Sequence, residues 1–294
     1  MPDPIPLIAT PKALAALLDT LRGQPAVAVD TESNSLYAYR ERICLIQLSI
    51  PAADFIVDPL ADLELGPLGA LFADPAVQKV FHAAEQDVGG LRRDFGWSVV
   101  NLFDTMHAAR ILGWPRLGLA SVLQDVFGVH TDKRYQRYDW GRRPLSPEAL
   151  NYACLDTHYL LPLRDRQTEA LRRTGRDRQA AQVFAQLAQT MPGTPAFGPA
   201  AFWRIKGVYD LEGQERAVLW ELYIWRDQVA CERDRPPFKV VGDAALLALA
   251  RARPHTLDGL ARIRGLPQHI IRRHGRAILN AIARGESGPP PEPR

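Results

Sequence analysis

The chain has 294 residues, 47% of them hydrophobic, and a formal net charge of +3, and this length supports one large and one small domain with sizeable buried cores. No apolar run approaches the roughly 18 residues of a membrane helix, and no basic segment followed by an apolar one opens the chain, so we expect a soluble, cytoplasmic protein without a membrane partner. Three cysteines without paired spacing argue against a disulfide framework and a zinc site.

A pair of acidic residues lies at the end of the first predicted strand. A helix is predicted at 10–22 and a strand at 26–30, in the segment AVAVDTE. Because side chains two positions apart lie on the same side of a strand, the carboxylates of Asp30 and Glu32 can face one cation. Taken alone, such a pair is more typical of a solvated strand end than of a metal site.

The next elements mix strands with helices, which predicts an α/β domain. They are strands at 43–50, 55–58, 79–82 and 99–102 and helices at 66–73, 85–95, 104–112 and 118–127. Asp87 follows the third of these strands, in KVFHAAEQD, where a carboxylate also suits the first turn of a helix. We interpret His82 as a hydrogen-bonded structural residue and Asp104 as a helix cap.

A long helix is predicted from 147 to 173. Ser146 can cap it, and Pro147 suits its first position. A spacing of four residues places Tyr152 and Asp156 on one face of this helix. Pro162 is expected to bend or interrupt the helix beyond that face.

Four carboxylates and a phenol therefore come from three separate elements within the first 160 residues. Hard divalent cations select oxygen ligands, and two of them roughly 4 Å apart can activate a water and neutralise a departing oxygen in phosphodiester hydrolysis. A tyrosine hydroxyl ordinarily has a pKa of about 10, so orienting the water is a better role for Tyr152 than deprotonating it. The order of the residues along strand, strand-to-helix junction and helix favours a two-metal nuclease site.

The three motifs also resemble those of the DEDD exonuclease superfamily, and within it the ribonuclease D family. VDTE resembles the first exonuclease motif, KVFHAAEQDV the second, and YACLDTHYL the third in its tyrosine form. WRIKG and WRDQVACERDRPPFKVV resemble the family's region leading into a helicase-and-RNase-D C-terminal (HRDC) domain, so the resemblance spans about residues 20–283. Ser33 departs from the pattern, because an aromatic residue often follows DTE in the family.

This resemblance implies a fold, a site and a reaction. The fold is a ribonuclease H-like, mixed-sheet α/β exonuclease domain followed by a small all-α HRDC domain. The implied ligands of two divalent cations, Mg²⁺ or Mn²⁺, are Asp30, Glu32, Asp87 and Asp156, and Tyr152 would hold the nucleophilic water. The implied reaction releases nucleoside 5′-monophosphates from the 3′ end of RNA, in the processing of tRNA precursors or other structured RNA. A 3′-5′ DNA exonuclease and a noncatalytic nucleic-acid-binding scaffold are the alternatives, and the presence of all five residues argues against the scaffold.

The second half has a different composition. The Pro- and Gly-rich segment MPGTPAFGPA follows a helix predicted at 176–189, and further helices are predicted at 213–233, 243–252, 257–263 and 267–283. We therefore predict an exonuclease domain at 1–190, a linker at 191–207, a helical HRDC-like domain at 208–284 and a disordered tail at 285–294. Residues 1–200 have a net charge of −2 and residues 201–294 a net charge of +5, which suggests that the second part grips nucleic acid.

Two basic segments are candidates for RNA contacts. In KRYQRYDWGRR, at 133–143, cations can contact phosphates and aromatic rings can stack on unpaired bases; we favour phosphate contact for the cations and core packing for Trp140. Around Gly265, a turn between two helices can bring backbone N–H groups to a phosphate, although a helical hairpin with a solvated basic face fits equally well on physical grounds. The candidate residues are Lys133, Arg134, Arg137, Arg142, Arg143, Arg264, Arg272 and Arg273.

Overall fold

The computed structural model describes residues 5, 7–51, 53–131, 134–193 and 197–292. The chain forms two compact units: an α/β unit of residues 1–34 and 42–193, and a helical unit of residues 35–41 and 194–294. None of the helices in these described ranges combines the length and the apolar character that crossing a membrane requires.

A mixed sheet forms the α/β unit, as predicted. Its six strands are β1 (Leu7–Ile8), β2 (Ala26–Ser33), β3 (Ile43–Ile50), β4 (Ala53–Val57), β5 (Gln78–Phe81) and β6 (Leu102–Asp104). Their order across the sheet is β1-β4-β3-β2-β5-β6. Strand β3 runs antiparallel to β2 and β4, whereas the pairs β1–β4, β2–β5 and β5–β6 are parallel.

Strand β2 is longer than its sequence indicates. The prediction ends it at Asp30, because the polar residues that follow are typical of a strand end. In the structure the pairing with β3 continues through Glu32, which lies opposite Leu45, and the register shifts between Glu32 and Ser33. The pairing with a buried neighbouring strand therefore overrides the local polarity.

Eight helices of the α/β unit are described. They are α1 (Pro11–Leu21), α2 (Gly66–Ala73), α3 (Glu85–Phe95), α4 (Thr105–Leu112), α5 (Leu119–Phe127), α6 (Pro147–His158), α7 (Leu160–Arg173) and α8 (Asp177–Leu187). Helix α6 begins as predicted, with the Ser146 hydroxyl accepting a hydrogen bond from the Ala149 N–H at 3.2 Å. The predicted long helix is two helices, because Pro162 has no N–H for the His158 carbonyl and its ring crowds that carbonyl.

The helical unit has its own apolar core. It contains α9 (Pro199–Phe202), a 3-10 turn (Val208–Asp210), α10 (Gly213–Glu232), α11 (Pro237–Val240), α12 (Asp243–Ala252), α13 (Leu257–Ala261) and α14 (Gln268–Ser287). Helix α14 continues to Ser287, so the first three residues of the predicted disordered tail are helical. Gly285 permits this continuation, since a side chain there would lie 2.4 Å from the Val218 Cα atom.

Residues 35–41 belong to the helical unit, although the sequence suggests that all of residues 1–190 form one domain. The Tyr39 hydroxyl donates to both carboxylate oxygens of Asp227, at 2.8 and 2.7 Å. The Tyr39 N–H donates to Asp234 Oδ1 at 3.0 Å, and the Lys239 ammonium lies 3.9 Å from the centre of the Tyr37 ring. The helical unit therefore includes a segment that is inserted between β2 and β3 in the chain.

Candidate active site

Helix α6 is fixed against one face of the sheet. The Ser49 hydroxyl of β3 donates to the Thr157 hydroxyl at 2.6 Å, and both residues are buried. His158 Nδ1 lies 2.7 Å from Asp54 Oδ2. Ser49 lies opposite Ala28 in the sheet, and side chains alternate between faces along a strand. Helix α6 therefore covers the face of β2 that carries Asp30.

Tyr152 and Asp156 both lie on this helix, as the spacing of four predicts. The rings of Tyr135 and Trp140 lie 5.3 Å and 6.3 Å from the ring of Tyr152, measured between centroids. Trp140 is 2% exposed, which confirms its predicted place in the core. The half-buried phenol is thus held by aromatic packing one helical turn before Asp156.

Asp87 reaches the site from α3. The Thr31 hydroxyl donates to Asp87 Oδ1 at 2.6 Å. Because Thr31 points to the opposite face of β2 from Asp30, α3 approaches the strand from that face. Thr31 is a site residue that the sequence analysis missed, and its only signal is its position between the two acids of the first motif.

The start of α3 is held by a cap from a distant strand. Asp104 Oδ1 accepts from the His107 N–H at 2.8 Å, which confirms Asp104 as the cap of α4, and Oδ2 accepts from the Ala84 N–H at 2.7 Å. His82 Nδ1 is hydrogen-bonded to the Thr105 hydroxyl at 2.8 Å, in agreement with a structural role. These contacts fix the turn from which Asp87 extends.

Burial raises the pKa values of the four predicted acidic residues, and repulsion from other members of the four adds to the shift at Asp30 and Glu32. Burial, followed by repulsion from Asp87, Asp156 and Glu32, holds the pKa of Asp30 well above its usual value. Burial and then repulsion from Asp156 do the same to the pKa of Glu32. Burial raises the pKa of Asp156 to about 7 and that of Asp87 to about 7, against the hydrogen bonds from Thr31. Asp87 of α3 and Asp156 of α6 thus lie within electrostatic reach of both acids of β2.

Such a cluster has the chemistry of a divalent metal site. Four carboxylates offer the hard oxygen ligands that Mg²⁺ and Mn²⁺ prefer. Their mutual repulsion is the cost that a positive charge between them removes. The residues present therefore fit divalent cations on the chemistry of the donor set alone.

A different group of potential ligands, which joins the starts of α3 and α4, is occupied by internal contacts. Among the described residues, Glu85, Asp104 and His107 have ligand atoms within 4.8 Å of one another. The Nδ1 atom of His107 lies 3.0 Å from Asp104 Oδ1, and its Nε2 atom lies 3.3 Å from Glu85 Oε1. The hydrogen bond to Asp104 raises the pKa of His107. We interpret this group as a link between α3 and α4, because both oxygens of Asp104 already accept hydrogen bonds from the protein.

Arg143 has a structural role that the sequence analysis did not anticipate. Its guanidinium donates to both oxygens of Asp58, at 2.7 and 2.6 Å, and to the carbonyl oxygens of Cys44 and Trp140, each at 2.8 Å. A fifth hydrogen bond, of 2.7 Å, reaches the carbonyl oxygen of Arg142. All the hydrogen-bond directions of the guanidinium are thus used inside the unit, and we remove Arg143 from the candidate RNA contacts.

The other candidate RNA-contacting side chains that the structure describes are exposed. Arg134, Arg137 and Arg142 are exposed, and Lys133 lies outside the described residues. In the helical unit Gly265 has a φ of 83°, as the predicted glycine turn requires. The side chains around that turn that we predicted to contact RNA are all exposed: Arg264, Arg272 and Arg273.

Comparisons with known proteins agree with this architecture. A family model described as a 3′-5′ exonuclease matches residues 5–172, and one described as an HRDC domain matches residues 215–282. Ribonuclease D of Acidiphilium cryptum (strain JF-5) is 35% identical over 99% of this chain and 74% of its own length. The chain belongs to the ribonuclease D family of 3′-5′ exonucleases. It is accordingly a phosphodiester hydrolase of the exoribonuclease type.

Two solved structures extend the comparison. One is the crystal structure of Escherichia coli RNase D, described as an exoribonuclease involved in structured RNA processing. It superposes with a TM-score of 0.77 and 31% identity, over 97% of this chain and 76% of that chain. Brucella melitensis NrnC with bound Mg²⁺ superposes with a TM-score of 0.51 and 28% identity, over 58% of this chain and 86% of that one. The ribonuclease D fold therefore extends through both units, and divalent metal binding accompanies the exonuclease fold.

The raised pKa values predict how stability depends on pH without divalent cations. The carboxyl groups of Asp87 and Asp156 hold protons up to about pH 7 in the folded protein, but only up to about pH 4 in the unfolded chain. Their contribution to stability is complete below about pH 4 and is lost as the pH rises through about 7. In EDTA we expect the melting temperature to fall by several degrees from about pH 5.5 to about pH 8.

The matching measurement adds Mn²⁺. Protons and cations compete for the same oxygens, so Mn²⁺ should raise the melting temperature more at the higher pH than at the lower one. A melting temperature in EDTA that stays constant or rises over this interval would contradict the burial of Asp87 and Asp156 as carboxyl groups with raised pKa values.

Proposed function

We propose that Asp30, Glu32, Asp87 and Asp156 hold two divalent cations, Mg²⁺ or Mn²⁺, and that the chain removes nucleoside 5′-monophosphates from single-stranded 3′ ends of RNA. The observation that carries this proposal is the burial of the four carboxyl groups, which raises their pKa values, together with the repulsion that Asp87 and Asp156 exert on both Asp30 and Glu32. The substrates we propose are tRNA precursors or other structured RNAs, in line with the description of the E. coli relative. Cytoplasmic localisation belongs to the same proposal.

In this proposal each side chain of the site has a distinct role in binding the cations or the water. Bound cations would supply the charge that activates the water and neutralises the departing 3′ oxygen. The carboxylates of Asp30 and Glu32 would hold their oxygens on the face of β2 under α6. Asp87 would close the site from α3, oriented by the Thr31 hydroxyl at 2.6 Å. Tyr152 would orient the attacking water with its hydroxyl.

One assay tests activity, direction and sugar preference together. Matched 3′-labelled and 5′-labelled strands of RNA and DNA are incubated with Mg²⁺, Mn²⁺ or EDTA. We expect the 3′-labelled RNA to release labelled mononucleotide at once, and the 5′-labelled RNA to shorten stepwise, only when a divalent cation is present. Faster degradation of DNA would favour the DNA exonuclease alternative, and full activity in EDTA would overturn the metal site.

We also propose that the helical unit is a second binding site for longer RNA. Its residues 201–294 have a net charge of +5, and the arginines near the Gly265 turn are exposed. A second binding site raises the local concentration of substrate at the first. Deleting the unit is a poor test, because residues 35–41 would lose Asp227 and Asp234 as hydrogen-bond partners.

A triple substitution in the full-length chain is the sharper test. Changing Arg264, Arg272 and Arg273 to Gln should weaken binding of a long RNA and lower the slope of log Kd against log salt by about 2, since each lost phosphate contact on a single strand contributes about 0.7. The kcat on a short, saturating oligonucleotide should not change, because these arginines lie in the other unit from the proposed metal ligands.

The control removes the same charge elsewhere on the helical unit, with Gln in place of Arg251, Arg253 and Arg284. If both triple variants bind long RNA with the same Kd and the same slope of log Kd against log salt, the Gly265 turn is not the RNA-binding site. A protein partner or a structural role would then be the better interpretation of the helical unit.

A further inference from the structure

A buried amide next to the proposed metal site has no partner. Gln47 of β3 is 0% exposed. Neither its Nε2 nor its Oε1 atom forms a hydrogen bond within the described parts of the chain. Leaving both ends of an amide unpaired in an apolar interior is costly and rare in native proteins. Such a group indicates a partner that is not a protein atom, such as a water or an ion and its hydration shell.

The position of Gln47 identifies the direction of that partner. Gln47 lies directly opposite Asp30 in the pairing of β2 with β3, and directly opposite residues place their side chains on the same face, about 5 Å apart at Cβ. On its other side Gln47 lies opposite Ile56 of β4, which is apolar and fully buried. The polar side of its surroundings is therefore the side of Asp30.

The same face also carries the contact that fixes α6. Ser49, two residues after Gln47 and on the same side of β3, donates to Thr157, the residue after Asp156. The amide of Gln47 thus lies beneath α6, between the strand that carries Asp30 and the helix that carries Asp156.

We propose that Gln47 is a positioning residue of the metal site, whose amide hydrogen-bonds water held by a cation that the Asp30 carboxylate binds. This inference rests on the metal site of the proposed function. Carboxylates that bind metals are commonly oriented by such outer partners, and removing one typically weakens metal binding 10–100-fold. Gln47 acts on the cation through water, so it is not itself a ligand.

Opposite effects on stability and metal binding distinguish this role from packing. Gln47→Met keeps a long, flexible side chain and removes both polar atoms. In EDTA this variant should melt at a higher temperature than the wild type, because replacing an unpaired polar group by an apolar one of similar shape removes its desolvation cost. Its affinity for Mn²⁺ should be lower, by about tenfold or more.

Gln167 is a matched control in the same unit. It is also fully buried, but only its Oε1 atom lacks a hydrogen bond within the described residues, since its Nε2 atom donates to the Thr105 carbonyl oxygen at 2.8 Å. Gln167→Met makes the same chemical change as Gln47→Met and removes one hydrogen bond together with one unpaired oxygen. Its Mn²⁺ affinity should equal that of the wild type, because Gln167 lies outside the proposed site.

Gln47→Glu provides a second variant. It keeps the size and one oxygen but adds a fifth carboxylate opposite Asp30. In EDTA near pH 8 we expect it to melt below the wild type, because the new charge joins a cluster that already repels itself. Added Mn²⁺ should then raise its melting temperature by more than it raises that of the wild type.

The experiment measures the melting temperature in EDTA and the Kd for Mn²⁺ by titration calorimetry, on the full-length chain and the three variants. The inference predicts a stabilised, weakly binding Gln47→Met protein beside a normally binding Gln167→Met protein. It is overturned if the wild type binds Mn²⁺ and Gln47→Met binds it equally well, or if Gln47→Glu is as stable in EDTA as the wild type. A wild type that binds no Mn²⁺ would instead overturn the proposed metal site itself.

Discussion

The Asp30→Asn variant should lose about 10³-fold in kcat, equivalent to about 4 kcal/mol of transition-state stabilisation. The amide is a poor ligand for a hard cation, and Asp30 is the acid whose pKa is raised by repulsion from all three of the others, in addition to burial. RNA affinity should stay close to that of the wild type, because most phosphate contacts lie outside the site in our proposal. Single-turnover rates with excess enzyme and RNA binding in EDTA are the two measurements.

A stability measurement separates loss of metal from loss of fold. Removing one of four repelling carboxylates should leave the melting temperature in EDTA equal to or above that of the wild type at about pH 8, while Mn²⁺ should no longer raise it. The matched control is Asp19→Asn in α1, where the carboxylate is 69% exposed and pairs with Arg22; it should leave kcat unchanged. Wild-type turnover by Asp30→Asn would exclude Asp30 as a metal ligand.

The Tyr152→Phe variant should lose about 10²-fold in kcat with little change in KM. The substitution keeps the ring, so its packing against Trp140 and Tyr135 remains, and it removes the hydroxyl that would orient the water. The affinity for Mn²⁺ should not change, because a phenol is not one of the proposed ligands. Pre-steady-state rates give the effect on the chemical step itself.

Tyr135→Phe is the control for this substitution. Tyr135 is half-buried in the same aromatic group and undergoes the same chemical change, but it does not lie on α6. It should retain the wild-type kcat. Equal rates for the two variants, under conditions where chemistry limits turnover, would make Tyr152 a packing residue.

The sequence by itself determined the features that depend on neighbouring residues. Alternation along an apolar strand placed Asp30 and Glu32 on one face, and helical spacing placed Tyr152 and Asp156 together. Ser146 fixed the start of α6, because a cap bonds an N–H group only three residues away. Pro162 ended α6, because a proline removes a bond within one helical turn. These interactions span a few residues, so their signals can be read from the sequence.

Only the tertiary structure decided which distant groups meet. Thr31 and Asp87 are 56 residues apart, and no local pattern joins their side chains. Arg142 and Arg143 are neighbouring residues of the same type and both are exposed, yet Arg143 uses its guanidinium on Asp58 and backbone carbonyls. Residues of equal propensity are thus separated by the partners that folding brings to them.

The same reason explains the two findings that had no sequence signal. Gln47 is typical of a polar position in a half-exposed strand, but strands on both sides and α6 above bury it opposite Asp30. Tyr39 belongs to a polar connection between strands, but it is held in the helical unit by Asp227, 188 residues away. Burial and pairing depend on segments that are distant in sequence, so the local pattern of polar and apolar residues does not predict them.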